Sequence, residues 1–271
     1  MTDTNIAKVD ILLPYWGDFK LLKKAVESVI AQTEQNWKMI VVDDFYPSDE
    51  AKKYFKTITD KRITYYRHKK NIGLVKNFNY VLDQATAKYC VIFGCDDIML
   101  PNYLETALHK IDRADYYQPG VNVIDSNDKI YSPNADRLKK FLRPKKTGLL
   151  KGERVITSLC HGNWLYFPSI LWRTQTLKKY RFNEIQHNTQ DLITEINIIK
   201  DGGSMVLDNT VTFQYRRSAD SFSSKAKGGT RFSEEKETYA RFAKEFADMG
   251  WSRASRAARL HLTSRIHKIL S

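Results

Sequence analysis

The sequence has few cysteines and no long apolar run, and both shortages narrow the class of protein. Its three cysteines are odd in number and include no Cys-x-x-Cys pair, so neither a disulfide scaffold nor a zinc ribbon is expected. The apolar runs, such as residues 11–13 and 39–42, fall far short of the roughly 18 residues that a transmembrane helix needs. The first ten residues lack the apolar segment of a signal peptide, which predicts a cytoplasmic protein.

Acidic residues are in the minority, with 31 Asp and Glu against 44 Lys and Arg, which gives a formal net charge of +13. Two segments carry most of it. Residues 137–154 hold eight basic residues and one acid, and residues 251–271 hold five basic residues and no acid. Charge concentrated in this way predicts a local anionic partner: a phosphorylated substrate, an anionic membrane surface or a nucleic acid. No helix-turn-helix, ribonucleoprotein motif or zinc finger accompanies it, so we expect no nucleic-acid partner.

Strand-like and helical segments alternate over the first 112 residues. Short β-rich or apolar runs, typical of buried parallel strands, occupy residues 9–13, 39–42, 63–66 and 89–93. Between and after them, apolar residues at helical spacing predict helices over residues 18–32, 49–58, 74–85 and 101–111, with Asp18 as an N-cap. This alternation predicts an α/β fold with a mostly parallel central sheet and helices on both faces.

The pattern is weaker after residue 112. Pro119, Gly120 and Pro133 predict turns, so we expect short strands in an irregular region over residues 115–150. Beyond it we expect helices at 152–159 and 191–200, strands at 168–172, 206–207 and 211–215, and a loop at 222–229. Residues 233–270 are expected to be largely helical with a break near Gly250. From residue 251 apolar side chains share one helical face, which is typical of a membrane-surface helix and equally of a helix packed on the core or on a second subunit.

Chemically informative residues follow the predicted strands. Pro14, Tyr15 and Trp16 follow the first strand, Asp43-Asp44 the second and Asp96-Asp97 the fourth. Ligands of an open α/β sheet bind outside the carboxyl ends of its strands. Two adjacent carboxylates stay ionised only beside a cation or hydrogen-bond donors, so a divalent cation shared with a nucleotide diphosphate is a natural ligand. Asp44 can accept a base N–H, and Tyr15 or Trp16 can stack on the base.

The residues that carry these features resemble a known family. Residues 9–112 are similar to the nucleotide-binding half of the family 2 glycosyltransferases, which have the GT-A fold. The matching stretches, in chain order, are VDILLPYWGD (9–18), SVIAQT (28–33), IVVDD (40–44), NIGLVKNFN (71–79) and FGCDDIMLP (93–101).

The resemblance implies roles for individual residues. Pro14, Tyr15, Trp16 and Asp44 would hold the nucleobase, Lys76 or Asn77 would lie beside the base or ribose, Asp96 would contact the ribose or metal, and Asp97 would ligate Mn²⁺ or Mg²⁺. The family often has an acid where Gly94 stands, so the number of protein carboxylates on the metal is open. Phe45-Tyr46-Pro47 replaces the small residues frequent after Asp44, which predicts a differently shaped base pocket.

The second half resembles the family through shorter segments. Residues 189–195 look like the helix start that carries the general base, which assigns that role to Asp191 with Glu195 as the next candidate. Residues 215–224 resemble the segment after the last strands, so Arg216 and Arg217 are expected near the diphosphate. Trp164 is a candidate acceptor contact.

These assignments predict three parts of the chain: residues 1–112 as the nucleotide-sugar-binding half, 113–230 as the acceptor-binding half, and 231–271 as a basic amphipathic helical extension.

The expected activity is inverting transfer of a sugar from a UDP- or dTDP-sugar to a hydroxyl of a glycan or lipid-linked glycan, as in the synthesis of cell-envelope polysaccharides. The enzyme would be cytoplasmic or peripheral on the inner face of the membrane, with a homo-oligomer left open. One alternative is a nucleotidyltransferase that makes sugar nucleotides, although the Gly-rich basic loop normal after its first strand is missing from residues 14–18. A nucleic-acid-binding protein is the other alternative.

Overall fold

One β-sheet with helices on both faces forms the framework of the protein. A computed structural model describes residues 7–184, 189–217 and 228–261, with the backbone alone for 228–231. The strands in these ranges are β1 (Val9–Tyr15), β2 (Trp37–Asp43), β3 (Ile63–Arg67), β4 (Tyr89–Ile92), β5 (Ile98–Met99), β6 (Tyr116–Ile124), β7 (Gly148–Lys151), β8 (Leu171–Arg173) and β9 (Ser204–Arg216). Their order is β3-β2-β1-β4-β8-β6-β9-β5, and β7 pairs with β9.

Ten α-helices lie in the described ranges. They are α1 (Phe19–Ile30), α2 (Glu50–Thr57), α3 (Leu74–Asp83), α4 (Tyr103–Ile111), α5 (Asn134–Leu142), α6 (Glu153–His161), α7 (Thr174–Tyr180), α8 (Gln190–Lys200), α9 (Gly228–Asp248) and α10 (Ser252–Leu260). Asp18 caps α1 as predicted, because its carboxylate accepts the Lys20 N–H at 2.7 Å. The predicted α/β class and its C-terminal helical extension are confirmed.

The parallel pairs are concentrated in the first half of the chain. Strands β3, β2, β1 and β4 are neighbours and run parallel, so their carboxyl ends meet at one edge of the sheet. From β8 onward the sheet is mixed. Strand β8 is antiparallel to both β4 and β6, whereas β6 and β9 are parallel. The "mostly parallel" description therefore applies to the half that was predicted strand by strand.

The expectation of an irregular region over residues 115–150 is wrong, because β6, α5 and β7 occupy much of it. Likewise, the two strands expected at 206–207 and 211–215 are one strand, β9. A bulge accounts for the second difference: the β6–β9 register shifts on either side of Gly120, which lets β9 continue as one strand. A Cβ at Gly120 would lie 2.5 Å from the Asn209 carbonyl oxygen, so only glycine allows this close backbone approach. In the 168–172 segment, a 3₁₀ turn (Phe167–Ser169) precedes β8.

Two apolar cores lie on the two faces of the sheet. Alternate residues of β1 enter different cores: Leu12 packs with α3, α6 and α8, whereas Ile11 and Leu13 pack with α1 and α4. The first core also receives Phe242 and Phe246 of α9. The C-terminal extension is thus part of the packed structure.

Helix α10 packs its apolar face on the protein. Ala254, Ala257 and Ala258 are buried, and the helix lies against α6 and α9. The Glu153 carboxylate accepts the N–H groups of Arg253 and Ala254, which fixes the start of α10 beside the start of α6. Of the two alternatives for this helix, packing on the core is the one observed over Ser252–Leu260, and residues 262–271 lie outside the described residues. No helix in the described ranges combines the length and apolarity required to cross a bilayer.

Asp10 provides a test of the framework. It is fully buried in β1, and one carboxylate oxygen accepts the N–H groups of Thr86 and Ala87 at 2.5 and 2.7 Å, at the turn that leads into β4. Asp10→Ala leaves two buried donors unpaired, so we expect it to lower the free energy of unfolding by about 2–4 kcal/mol. Asp18→Ala, which removes only an exposed helix cap, should cost about 1 kcal/mol. Urea denaturation of both variants measures the difference, and equal losses would contradict this role for Asp10.

Candidate active site

The carboxyl ends of β2, β1 and β4 lie side by side at one edge of the sheet. We refer to the region bordered by Trp16, Asp44 and Asp96-Asp97, which follow these strands, as the crevice. The turn after β1 contacts the turn after β4, because Cys95 Sγ lies 4.0 Å from the Trp16 carbonyl oxygen. The turn after β2 is joined to β1 by the Asp44 N–H, which donates to the Tyr15 carbonyl oxygen at 3.0 Å. Three segments expected at a ligand site are therefore adjacent.

The two aspartates after β2 differ in their contacts. The buried Asp43 carboxylate accepts the Tyr65 hydroxyl at 2.6 Å and the Tyr46 N–H at 2.8 Å, so it stabilises the β2–β3 edge. The Asp44 carboxylate accepts the N–H groups of Ile72 and Gly73 at 2.7 and 2.9 Å. It thereby joins the end of β2 to the start of α3, and each oxygen retains lone-pair capacity for a further donor.

Aromatic side chains form the wall beside Asp44. Tyr15 is buried and its hydroxyl donates to the Gly17 carbonyl oxygen at 2.9 Å. Trp16 is 48% exposed and meets Tyr46 edge to face, with ring centroids 5.3 Å apart. Of the predicted stacking pair, Trp16 is thus the ring with an accessible face. Pro14 lies buried inside β1, opposite Val42.

Lys76 and Asn77 have opposite environments on α3. Asn77 is buried; its amide donates to the Val42 carbonyl oxygen at 3.1 Å, and its Oδ1 lies 3.2 Å from Nε2 of His68. Both ends of the Asn77 side chain are therefore committed within the protein. Lys76 is exposed on the first turn of the helix, so of the predicted pair it is the side chain available to a ligand.

Asp97 and Gly94 form a matched pair in the turn after β4. Asp97 is buried, and its Oδ1 accepts the Arg216 N–H at 2.8 Å. A Cβ at Gly94 would lie 2.3 Å from Asp97 Oδ2, so the carboxylate occupies the space that any side chain at position 94 would need. Burial and the neighbouring Asp96 carboxylate raise the pKa of Asp97 well above its ordinary value. Burial also raises the pKa of Asp96.

The Asp96–Asp97 pair suits a cation that arrives with its own ligands. No group of three or more His, Cys, Asp or Glu that could hold a metal occurs in the described ranges. Two neighbouring carboxylates are compatible with Mg²⁺ or Mn²⁺, which commonly takes one or two carboxylates and completes its shell with phosphate oxygens and water. Asp97 and Asp96 are the side chains that could hold such an ion, Asp97 through the oxygen that does not accept the Arg216 N–H.

Arg216 lies beneath this turn, where the sequence predicted a diphosphate contact. It is buried, and its Nε donates to the Asp96 carbonyl oxygen at 2.7 Å. The two terminal nitrogens donate to the Asp125 carbonyl oxygen and to the Asp128 carboxylate, each at 2.5 Å. All three guanidinium nitrogens have partners within the chain, so Arg216 supports the acidic turn.

Arg217 is directed to the other half of the protein. It forms a bidentate ion pair with Asp136 of α5, which is fully buried. The Tyr166 hydroxyl donates to the same carboxylate at 2.7 Å. At the end of β9, Arg216 therefore contacts the Asp96-Asp97 turn, whereas the next residue, Arg217, contacts α5.

Helix α8 begins near the cluster formed by Arg217, Asp136 and Tyr166. The Asp191 carboxylate accepts the Leu192 N–H at 2.8 Å in the first turn, and Asp191 is half-buried. Glu195, one turn further, is fully buried, and neither of its carboxylate oxygens has a hydrogen-bond partner in the described part of the chain. Burial first, and then the Asp191 charge, raise the pKa of Glu195 well above its ordinary value. Glu195 therefore lies one helical turn from Asp191 in surroundings that disfavour its charged form.

Lys139 faces this pair from α5. Its ammonium donates to the Leu165 carbonyl oxygen at 2.7 Å. Burial, and secondarily the Arg217 charge, lower the pKa of Lys139 to about 8, although Asp136, Asp191 and Glu195 act in the opposite direction. Lys139 is therefore near enough to both the Arg217–Asp136 pair and the start of α8 to be influenced by their charges.

Trp164 lies in the core. It is 1% exposed, and its indole N–H donates to the Ser158 hydroxyl at 3.0 Å. This burial does not support the prediction of an acceptor contact, so we assign Trp164 to packing.

Asp136 and Lys139 were missed by sequence reasoning. Asp136 directly precedes the basic segment 137–154, so the signal available was one acid at the border of a strongly basic run. A sequence cannot show that this acid pairs with an arginine 81 positions away.

Comparisons with known proteins identify the family and the fold of the chain. The profile of glycosyl transferase family 2 matches residues 10–174. An uncharacterized glycosyltransferase of Methanocaldococcus jannaschii is 27% identical over 186 residues, which cover 67% of this chain and 60% of that protein. The chain thus spans less than two thirds of that relative's length.

Solved structures share the fold at low sequence identity. S. aureus TarS (1–349), solved with UDP-GlcNAc, superposes with a TM-score of 0.72 at 15% identity, covering 94% of this chain and 73% of that one. A mannosyltransferase of Pyrobaculum calidifontis, solved with GDP-Man and Mn²⁺, has a TM-score of 0.63 at 13% identity, covering 98% and 73%. Both similarities support a GT-A-type fold for this chain.

The buried Glu195 predicts a pH-dependent stability. Below the ordinary Glu pKa the carboxyl is protonated in both folded and unfolded states. As the pH rises, Glu195 ionises in the unfolded chain but stays protonated in the folded one, so stability falls until the raised folded pKa is reached. Relative to Glu195→Gln, the wild type should therefore lose up to about 1.4 kcal/mol of unfolding free energy per pH unit. The loss begins at the ordinary Glu pKa and ends at the raised pKa of the folded state.

Urea denaturation of both proteins between pH 4.5 and pH 8, roughly the range above the ordinary Glu pKa, tests this expectation. Glu27→Gln, at a side chain that is 56% exposed, serves as the control and should differ from wild type by nearly the same amount throughout. A pH-independent difference for Glu195→Gln would mean that Glu195 is ionised in the folded protein.

Proposed function

The chain belongs to glycosyl transferase family 2, and on this basis we propose that it transfers a sugar from a nucleoside diphosphate sugar to a hydroxyl of a glycan or lipid-linked glycan, with inversion. The observation that carries the proposal is the crevice in which Trp16, Asp44 and the Asp96–Asp97 turn are brought together. Nucleoside diphosphate sugars are bound by TarS and by the P. calidifontis mannosyltransferase, which supports this class of donor.

The nucleotide end of the donor fits the Asp44 side of the crevice. Asp44 is held by the Ile72 and Gly73 N–H groups and has acceptor capacity left for the imide N–H of uracil or thymine. The exposed ring of Trp16 offers a stacking face. Because both bases share that imide, we propose a UDP- or dTDP-sugar. Lys76, exposed in the first turn of α3, would lie beside the base or the ribose.

The diphosphate fits the Asp97 side. Asp97, with Asp96, would hold Mn²⁺ or Mg²⁺ between the protein and the phosphates. Such an ion supplies charge neutralisation for the departing nucleoside diphosphate. Arg216 keeps both carboxylates in place through the Asp96 carbonyl oxygen and its own N–H to Asp97. It acts in this proposal as a positioning residue.

Asp191 is proposed as the general base. It would accept the proton of the acceptor hydroxyl while that oxygen bonds to the anomeric carbon and the bond from this carbon to the diphosphate breaks. Its position in the first turn of α8 favours the ionised form, because the helix N-terminus is the positive end of the helix dipole. Because burial disfavours the charged form of Glu195, we expect that side chain to add no second negative charge behind Asp191.

The alternatives lack comparable support. A nucleotidyltransferase would need a Gly-rich basic loop after β1, and residues 14–18 hold Pro-Tyr-Trp-Gly-Asp. A nucleic-acid-binding protein would leave the buried acidic turn without a purpose. We further propose that the product belongs to a cell-envelope polysaccharide.

A thermal-shift panel tests the donor site. UDP, dTDP, GDP and CDP are added with and without Mn²⁺ to wild type, Asp97→Asn and Gly94→Ala. We expect UDP or dTDP with Mn²⁺, at about 100 times Kd, to raise the Tm of wild type by roughly 5–10 °C. Asp97→Asn removes the carboxylate charge, and Gly94→Ala displaces the carboxylate from its place, so both should abolish the metal-dependent part.

Asp248→Asn is the matched control, since Asp248 is an exposed aspartate at the end of α9 and should respond like wild type. The absence of a shift with every nucleotide and metal would overturn the donor site. A shift that survives in Gly94→Ala would overturn the role given to the Asp97 position.

The base is tested by Asp191→Asn. We expect kcat to fall by roughly 10²–10⁴-fold, because the acceptor hydroxyl loses its proton acceptor, while the nucleotide-induced Tm shift stays at the wild-type value. Glu195→Gln should retain most of the activity, because the amide matches a protonated carboxyl in shape. Hydrolysis or transfer measured with the donor identified above gives kcat, and full activity of Asp191→Asn would exclude Asp191 as the base.

A further inference from the structure

An exposed basic surface surrounds two exposed apolar side chains on α5 and β7. Phe141 is 83% exposed, the highest value among large apolar side chains in the described residues, and Leu149 is 60% exposed. Six exposed cations accompany them, and none forms an ion pair within the described ranges: Arg137, Lys140, Lys145, Lys146, Lys151 and Arg154. We refer to these eight residues as the basic-apolar surface.

The fold brings the two parts of this surface together. Arg143, directly after α5, donates to the Asp208 carbonyl oxygen, and Gly148, which begins β7, pairs with the adjacent Leu207. The end of α5 and the start of β7 are thus anchored to neighbouring residues of β9. Phe141 and Leu149 extend from these two anchored segments.

Secondary structure turns the key side chains outward. On α5, Arg137, Lys140 and Phe141 are spaced three and four residues apart and share the exposed face. On β7, Leu149 and Lys151 alternate with Leu150, which packs against the core. Phe141 and Leu149 are therefore exposed because the opposite faces of α5 and β7 are the ones that pack against the protein.

Glu153, the one acid among residues 137–154, already accepts hydrogen bonds within the protein. Both hydrogen bonds accepted by Glu153 come from the first N–H groups of α10. Because these bonds set α10 beside the end of β7, the first basic segment meets the described part of the second, residues 251–261. Arg253, Arg256 and Arg259 are exposed on α10 and extend the positive charge.

We propose that the basic-apolar surface docks on an anionic lipid bilayer, with Phe141 and Leu149 entering the interface and the surrounding cations meeting the lipid headgroups. Charge complementarity favours an anionic partner, and the two apolar side chains favour lipid over nucleic acid. Phe and Leu gain by burial at a membrane interface, whereas a phosphate backbone offers them no apolar partner.

Docking in this way also orients the proposed active site. The inner face of α5 carries Lys139 and Asp136, which adjoin Asp191 and Arg217. A membrane on the outer face of α5 would therefore lie next to the acceptor side of the protein. This part of the inference rests on the proposed function and favours a lipid-linked acceptor; the docking itself does not depend on it.

Vesicle co-sedimentation of the full chain tests the docking. The probes are phosphatidylcholine vesicles and vesicles with about one third phosphatidylglycerol, each at low and high salt. We expect wild type to partition onto the anionic vesicles alone and to be released by salt, because exposed charges are screened. Each cation near an anionic surface contributes roughly fivefold to partitioning, so Lys145→Glu with Lys146→Glu should weaken it by more than about tenfold.

Phe141→Ser separates lipid insertion from simple charge attraction. It should reduce partitioning although no charge changes. The controls are Lys52→Glu with Lys53→Glu on α2, which makes the same charge change, and Ile30→Ser on α1, an apolar side chain that is 39% exposed. Both controls should partition like wild type.

Three outcomes would overturn the proposal: no partitioning of wild type onto anionic vesicles, an equal loss in the α2 control, or full partitioning of Phe141→Ser. Retention of duplex DNA or RNA without vesicle binding would identify a nucleic-acid surface instead. The nucleotide-induced Tm shift is measured on the same variants and should be unchanged. A failed donor site and a failed docking surface are therefore distinguishable.

Discussion

The buried guanidinium of Arg216 is the interaction on which the arrangement of the acidic crevice depends. Burying a cation is costly unless all its donors are paired, and here each nitrogen has a partner. Those partners belong to the Asp96–Asp97 turn and to the 125–128 turn, and Asp128 also pairs with Lys24 of α1. One side chain from the last strand thus fixes turns that are about 90 to 120 positions distant in the sequence. The Asp97 carboxylate is held in its place over Gly94 by the backbone N–H of Arg216 itself.

The first half of the fold was predictable, and the reason is physical. Parallel strands buried on both faces form continuous apolar runs, such as Met39–Val42, and ligand-binding residues follow their ends. The second half depends on non-local fits that leave weak traces in the sequence. Pro119-Gly120 predicts a turn, but β9 approaches Gly120 closely enough to make a bulge within a strand. Candidate residues were found wherever their type was distinctive; the buried states of Asn77 and Trp164, and the internal pairing of Arg216, depend on partners that only the fold supplies.

The net charge of +13 separates into two populations of cations. Arg216, Arg217 and Lys139 face inward and hold acidic or carbonyl groups of the crevice and its surroundings. The cations of the basic-apolar surface face solvent. The amino-acid composition cannot distinguish the two. The first population forms contacts inside the protein, and the second lies on its exterior. The nine-residue helix α5 carries cations of both populations. Lys139 faces inward, whereas Arg137 and Lys140 are exposed to solvent.

The adjacency of Arg216 and Arg217 attaches two distant parts of the chain to one strand end. The backbone N–H of Arg216 donates to the Asp97 carboxylate, and the Arg217 guanidinium pairs with Asp136 on α5. Consecutive Cα atoms are about 3.8 Å apart across a trans peptide bond, so these two attachment points have a nearly fixed spacing. The end of β9 is therefore a common anchor, and neither the acidic turn nor α5 has a position that is defined independently of it.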